Sequence, residues 1–187
     1  SRILPPEDMP FLEDGTPLAA AGALWVMLDT KQRRIVSPQK VDLGFPDNSD
    51  LPAPVALPTR LPALRGETPQ VFNRTPQYSD FDVNGHVNNT RYLAWILEPL
   101  PPASALASSA GEPPMPRLVD ITFRAECFPQ EELNCLCAPS PAPSGTESSI
   151  FGHDVSFAAL HSIQRTADES EVCRALTLWD RSPDNKL

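Results

Sequence analysis

Residues Asp80–Glu98 read DFDVNGHVNNTRYLAWILE, and the reading of that stretch decides the fold. An apolar run, Tyr92–Leu97, follows directly on a crowd of hydrogen-bonding side chains: Asp82, Asn84, His86, Asn88 and Asn89. The apolar spacing predicts a helix from about Asn89 to Glu98, with Leu93, Ile96 and Leu97 on one face, flanked by Tyr92 and Trp95. Pro99, Pro101 and Pro102 stop it. A helix start needs one N-cap, and Asn88 and Asn89 are the candidates. Asp82, Asn84 and His86 are then left over. Spaced by two, they would share one side of an extended segment and fan out on a turn; Asn84-Gly85 by itself fits an ordinary tight turn. Their chemistry suits acyl transfer. An imidazole titrates near neutrality, an Asn amide can donate to a developing oxyanion, and a carboxylate can orient the imidazole.

Working outward, Thr68–Asp80 reads as a strand interrupted by Pro76. Beyond the helix, Leu118–Ala125 alternates, with Val119, Ile121 and Phe123 on one face. Leu133–Ala138, Val155–Gln164 and Val172–Asp180 follow as strands, the last with Val172, Ala175 and Leu178 apolar. One helix among antiparallel strands predicts an α+β domain, a sheet wrapped around a single helix, over residues 68–182. Two Pro/Ser/Ala-rich segments, near 100–116 and 139–149, read as mobile insertions. Residues 41–67 are Pro-rich and aperiodic, a linker. Before it, the apolar run Leu18–Leu28 suggests a buried strand, although its alanines leave a helix open, and Arg33–Val36 a short second element.

Composition narrows the function. Lys+Arg 15 against Asp+Glu 24 gives a net charge of −9, which argues against a nucleic-acid partner. No run approaches the ~20 apolar residues of a membrane-spanning helix. The four cysteines, Cys127, Cys135, Cys137 and Cys173, include no Cys-x-x-Cys pair, so no metal site is expected. Cys135 and Cys137 alternate on one strand and face one side, as buried free thiols suited to a reducing compartment. No signal peptide is visible, and because Ser1 is not an initiator Met, the chain is expected to be a processed or trimmed product.

A second chemical cluster stands in Ile121–Cys127, ITFRAEC. The strand ends on Arg124, Glu126 and Cys127. Glu126 facing His86 would make a general base available; Cys127 would be a nucleophile instead if His86 lowered its pKa. The plain alternative is a surface Glu beside a buried thiol.

At this point the sequence resembles a known family. SDFDVNGHVNNTRYLAWILE (Ser79–Glu98) and ITFRAEC are similar to two signatures of the acyl-acyl carrier protein thioesterases of plants, algae and bacteria. GALWVMLDTKQRRIV (Gly22–Val36) resembles the end of that family's first half, and the three stand in the family's order. The resemblance implies a pair of hot-dog domains, with residues 1–40 carrying only the last strands of the first. It implies hydrolysis of fatty acyl-acyl carrier protein to free fatty acid. It places the catalytic positions on Asp82, Asn84, His86 and Glu126, and puts Cys127 where a nucleophile has been assigned. The favoured scheme has Glu126 activate water, Asn84 and His86 orient water and thioester, Asp82 fix Asn84 or His86, a backbone N–H at the helix start take the oxyanion, and Cys127 stand behind. The implied partner is an acyl carrier protein, with Lys31, Arg33, Arg34, Lys40, Arg91 and Arg124 as candidate docking cations. A homodimer or a missing N-terminal hot-dog domain would complete the assembly. A plastid stroma is the first compartment implied and a bacterial cytoplasm the second. The competing expectations are a hot-dog acyl-CoA thioesterase and a non-catalytic acyl-binding hot-dog remnant.

Overall fold

A computed structural model describes residues 19–24, 26–29, 31–32, 34–37, 60–64, 69–99, 116–141 and 155–180. The chain divides between Arg60 and Leu61 into two compact units.

The first unit holds a two-stranded antiparallel hairpin of β1 (Met27–Asp29) and β2 (Arg34–Val36), with Met27 opposite Val36 and Asp29 opposite Arg34. Asp29 Oδ1 closes the connection by accepting from the backbone N–H groups of Lys31 and Gln32, both at 2.9 Å. The buried strand expected over Leu18–Leu28 is therefore much shorter. β2 offers only three partners, residues 19–24 lie outside any strand, and Leu24 and Val26 are exposed. Leu18 and Trp25 fall outside the described residues.

The second unit is a five-stranded antiparallel sheet packed on one helix, the hot-dog arrangement. Among the described residues its elements are β3 (Gln70–Arg74), a 3-10 turn (Tyr78–Asp80), α1 (Asn89–Leu97), β4 (Leu118–Phe123), β5 (Leu133–Ser140), β6 (Val155–Arg165) and β7 (Glu171–Asp180). Across the sheet they stand in the order β3-β5-β6-β7-β4. β3 stops well short of the expected Asp80. Pro76 cannot donate to a ladder, and the chain turns instead, with Gln77 N–H donating to Asp80 Oδ2 at 2.7 Å. β5 runs on through Pro139 to Ser140, opposite Ala158, two residues past its expected end. What remains of the two expected insertions lies almost wholly outside the described residues.

Alternation sorts the side chains to the two sheet faces. Toward the helix, Leu133, Cys135, Ile163, Cys173 and Ala175 pack with Tyr92, Trp95 and Ile96, and Phe72, Val119 and Ile121 border them. On the opposite face, Ala158, Leu160, Leu176 and Leu178 are covered by Leu61, the described end of the expected linker. The buried face is shifted from the one expected: Ile96 is buried and Leu97 packs against the core, but Leu93 is not part of it. Tyr92, Trp95 and Ile96, at i, i+3 and i+4, form the buried seam, whereas Leu93 is 41% exposed. The sheet accepts the large rings, and Leu93, one residue (about 100°) round the helix from Tyr92, is turned out to solvent.

Between β6 and β7 the core encloses a polar group. His161, fully buried, bonds through Nε2 to Thr177 Oγ1 at 2.8 Å, and Trp179 Nε1–H donates to the same oxygen at 2.8 Å. His161 Nδ1 is buried without a hydrogen bond of good geometry. Burial pulls this imidazole down to about 4, only partly offset by the nearby Ile96 carbonyl.

Candidate active site

The stretch ahead of the helix folds as a tight hairpin. Asp82 N–H donates to the His86 carbonyl at 2.9 Å, Gly85 N–H to the Asp82 carbonyl at 3.1 Å, and Phe81 bridges Val87. Gly85 sits at φ +76°, the left-handed position that closes a three-residue hairpin loop with a bulge. Asp82 Oδ1 accepts from Asn84 N–H at 2.8 Å, which braces the turn from within. Asp82, Asn84 and Gly85 are thus the residues this turn requires, and the turn sets where His86 points.

The hairpin is pinned at its base. Asn88 N–H donates to the Asp80 carbonyl at 2.8 Å. The Asp80 carboxylate, 2% exposed, lies 3.5 Å from Arg91 Nε and 3.7 Å from Arg74 Nη2. Asn88 is the N-cap: its Oδ1 accepts from Thr90 N–H at 2.9 Å and from the Thr90 hydroxyl at 2.8 Å. Asn89, the other cap candidate, begins the helix and lines a cleft.

That cleft, about 300 Å³, is bordered by Asp82, His86, Asn89, Tyr92, Phe123, Arg124 and Glu126. Across it His86 Nε2 and Glu126 Oε2 face each other at 3.6 Å, each side chain about one-third exposed. The Phe128 ring meets His86 edge-on at 5.5 Å. Glu126 comes from the segment after β4, which is tied down by Arg124 N–H and Ala125 N–H donating to the Val172 carbonyl at 2.8 and 3.2 Å. Val87 N–H donates to the Cys127 carbonyl at 3.3 Å, joining the two halves of the site. Phe123, at the end of the strand face it shares with Val119 and Ile121, is 42% exposed because it forms a wall of the cleft, packed edge-on to Tyr92 at 5.4 Å.

The arrangement sorts the expected residues. Asp82, His86 and Glu126 meet at the cleft. Asn84 stands at the exposed hairpin tip and does not line it. Cys127 is fully buried beneath it, and burial pushes its thiol up, against a hydrogen bond from Tyr92 that pulls it down. The other three thiols are also pushed up by burial, Cys135 and Cys137 to about 12. A buried, protonated thiol is a poor nucleophile. Among the described residues no group of three His, Cys, Asp or Glu side chains could hold a metal, and no helix is long and apolar enough to cross a membrane.

Of the docking candidates, Arg33 and Lys40 lie outside the described residues, while Lys31 and Arg34 are exposed in the first unit. Arg91 is engaged with Asp80 and donates to the Ser79 carbonyl at 2.9 Å. Arg124 pairs with Glu171 at 3.2 Å. Glu171 also binds Arg174 and Ser162, and although burial alone would raise its pKa, those partners hold it below the ordinary carboxylate value.

Sequence reasoning missed Asn89 and Asp80. The doubled Asn was the available signal for the first, since one cap is enough. The second is recognisable only once Arg74 and Arg91 are known to converge on it.

Known proteins share both sequence and fold. The sequence profile of the acyl-ACP thioesterase C-terminal domain matches residues 65–181. The chloroplastic palmitoyl-acyl carrier protein thioesterase of Cuphea hookeriana is 31% identical over 170 residues, covering 88% of this chain and 37% of that protein. Its counterpart in Gossypium hirsutum is 32% identical over 175 residues, covering 89% and 39%. Oleoyl-acyl carrier protein thioesterase 1 of Arabidopsis thaliana, also chloroplastic, is 26% identical over 192 residues, covering 91% and 49%. The chain thus spans less than half the length of these relatives. Among solved structures, the 12:0-ACP thioesterase from Umbellularia californica superposes with a TM-score of 0.55 at 25% identity, over 81% of this chain and 51% of that one. An acyl-ACP thioesterase from Bacteroides thetaiotaomicron, at 21% identity and a TM-score of 0.54 over 81% and 52%, shares the fold. The chain belongs to the acyl-ACP thioesterase family.

Proposed function

We propose that this protein hydrolyses fatty acyl-acyl carrier protein thioesters, releasing free fatty acid, with Glu126 as the base that activates water. The observation that carries this reading is the His86–Glu126 pair, 3.6 Å apart across a cleft, in a chain of this family. A carboxylate partly open to solvent can draw a proton from a bound water. His86, on the opposite wall, orients that water or donates to the thioester carbonyl. Asp82 holds the turn through Asn84 N–H, so it acts on His86 through the backbone. Asn84 completes the site only if its exposed amide meets substrate from outside the cleft. Asn89, on the first turn of α1, is the amide that already lines it. The N-terminus of α1, which begins at Asn89, offers partial positive charge to a developing oxyanion. Cys127 supports the site from beneath and forms no acyl-enzyme. The scheme needs no metal or organic cofactor.

Residues 1–40 are read as the last strands of a first hot-dog domain, 41–67 as a linker and 68–182 as the C-terminal hot-dog domain. A first hot-dog domain or a second copy of the chain would complete the assembly. The partner is an acyl carrier protein. The plant relatives are chloroplastic, which supports a plastid location.

The test is hydrolysis of acyl groups presented on acyl carrier protein and on coenzyme A, followed by thiol release. Preference for the carrier-protein substrate supports the reading. A strong preference for coenzyme A makes this an acyl-CoA thioesterase, and binding without turnover of either makes it an acyl-binding protein.

A further inference from the structure

We infer that Arg165 is a positioning residue for the reacting pair, acting through the backbone of the segment that carries Glu126. The inference rests on the reading of Glu126 as base. Arg165 lies 39 positions from Glu126, at the end of β6, and its guanidinium reaches three groups at once. Nη2–H donates to the Glu126 carbonyl at 2.7 Å, Nε–H to Glu131 Oε1 at 3.0 Å, and Nη1–H to Ser170 Oγ at 3.1 Å. Glu131 in turn uses its other oxygen, Oε2, to accept from Phe128 N–H at 3.2 Å. The Arg165–Glu131 pair therefore grips the segment at the residue that bears the proposed base and again two residues on. The second grip holds the backbone of Phe128, whose ring packs edge-on against His86.

The support beneath Arg165 is rigid. Arg165 N–H donates to the Ser170 carbonyl and Glu169 N–H to the Arg165 carbonyl, both at 3.0 Å, closing the β6–β7 turn. Thr166 N–H donates to the Glu132 carbonyl at 2.8 Å, tying that turn to the far end of the same segment. Charge-assisted bonds of this kind are about twice as strong as neutral ones, and the three directions match a planar fork that a lysine ammonium cannot reproduce. Placement errors of about 1 Å in a reacting group can cost on the order of 100-fold in rate, so loss of the bond at the Glu126 carbonyl itself is expected to register in turnover.

The experiment is steady-state hydrolysis of acyl-acyl carrier protein by the full chain carrying Arg165→Ala, with and without millimolar guanidinium chloride. The expected result is a kcat at least about tenfold below wild type, KM within about twofold, and partial recovery with guanidinium but not with sodium chloride of equal ionic strength. Arg165→Lys should recover less than the added ion. A kcat within twofold of wild type, a loss confined to KM, or no recovery with guanidinium would overturn the inference. If Arg165→Ala does not fold, Glu131→Gln is read by the same kcat and KM criteria, and wild-type kcat there overturns it. A Glu126→Gln variant run alongside separates the two ideas. If it keeps full activity, the base assignment fails; if it is inactive while Arg165→Ala is unimpaired, only the positioning role fails.

Discussion

Replacing His161 by Gln tests whether the buried polar network between β6 and β7 makes the domain acid-sensitive. The imidazole is fully buried, bonded at Nε2 to Thr177, and held down at about 4 against an ordinary value of 6.5. The sign follows from that direction. Between pH 6.5 and 4 the unfolded chain takes up a proton on this residue that the folded chain does not, so unfolding gains ground as pH falls through the window. At about 1.4 kcal/mol per pH unit, the gap corresponds to roughly 3 kcal/mol, an order-of-magnitude figure, fully present above pH 6.5 and lost by pH 4. Gln can still bond to Thr177 but binds no proton. Urea unfolding of wild type and His161→Gln should be measured at half-unit steps from pH 7.5 to 4, and the difference between their unfolding free energies taken. Other groups, including Glu171 with its lowered pKa, lose stability on acidification in both proteins and cancel in the difference. The difference should fall by roughly 3 kcal/mol from pH 7 to 4. A difference that stays flat across that range would refute the reasoning, because it would mean His161 is protonated in the folded state or reached by water.

Two further perturbations test the architecture of the site. Gly85→Ala places a side chain at φ +76° with nothing within 4 Å of the new Cβ, so its cost is conformational alone, about 1–2 kcal/mol. Gly85→Asn should cost less, as Asn tolerates that region better, and equal unfolding free energies for the two variants would argue against the bulged hairpin. Asn88→Ala removes the cap bonds to Thr90 and should cost about 1 kcal/mol in thermal or urea unfolding, with Asn88→Asp close to wild type.

Much of this fold is legible from local chemistry. Asp82, Asn84 and Gly85 satisfy a turn that each of them favours individually, and Asn88 caps the helix that the apolar run requires. The alternation at Val119, Ile121, Cys135 and Cys137 places the sheet faces correctly, since a period of two leaves no other way to bury them. The errors come where distant partners decide. The choice of Tyr92 and Trp95 over Leu93 as the buried seam depends on how much room the sheet leaves. The shortness of β1 depends on how many partners β2 offers. The residues leave the pairing of His86 with Glu126 open against a surface Glu beside a buried thiol, the resemblance favours it, and the place of Cys127 behind it needs the packing of Tyr92 and α1. Asp80 and Arg165 are least visible of all, since each organises the site through groups scattered along the chain.

In the proposed mechanism a carboxylate, and not a thiol, drives hydrolysis. That assignment is tested most directly by single-turnover hydrolysis of acyl-acyl carrier protein with Glu126→Ala and Cys127→Ala side by side. Cys127→Ala should keep most of the rate and Glu126→Ala should lose it, with no acyl-enzyme trapped in either. Loss of hydrolysis in Cys127→Ala with activity retained in Glu126→Ala would contradict it.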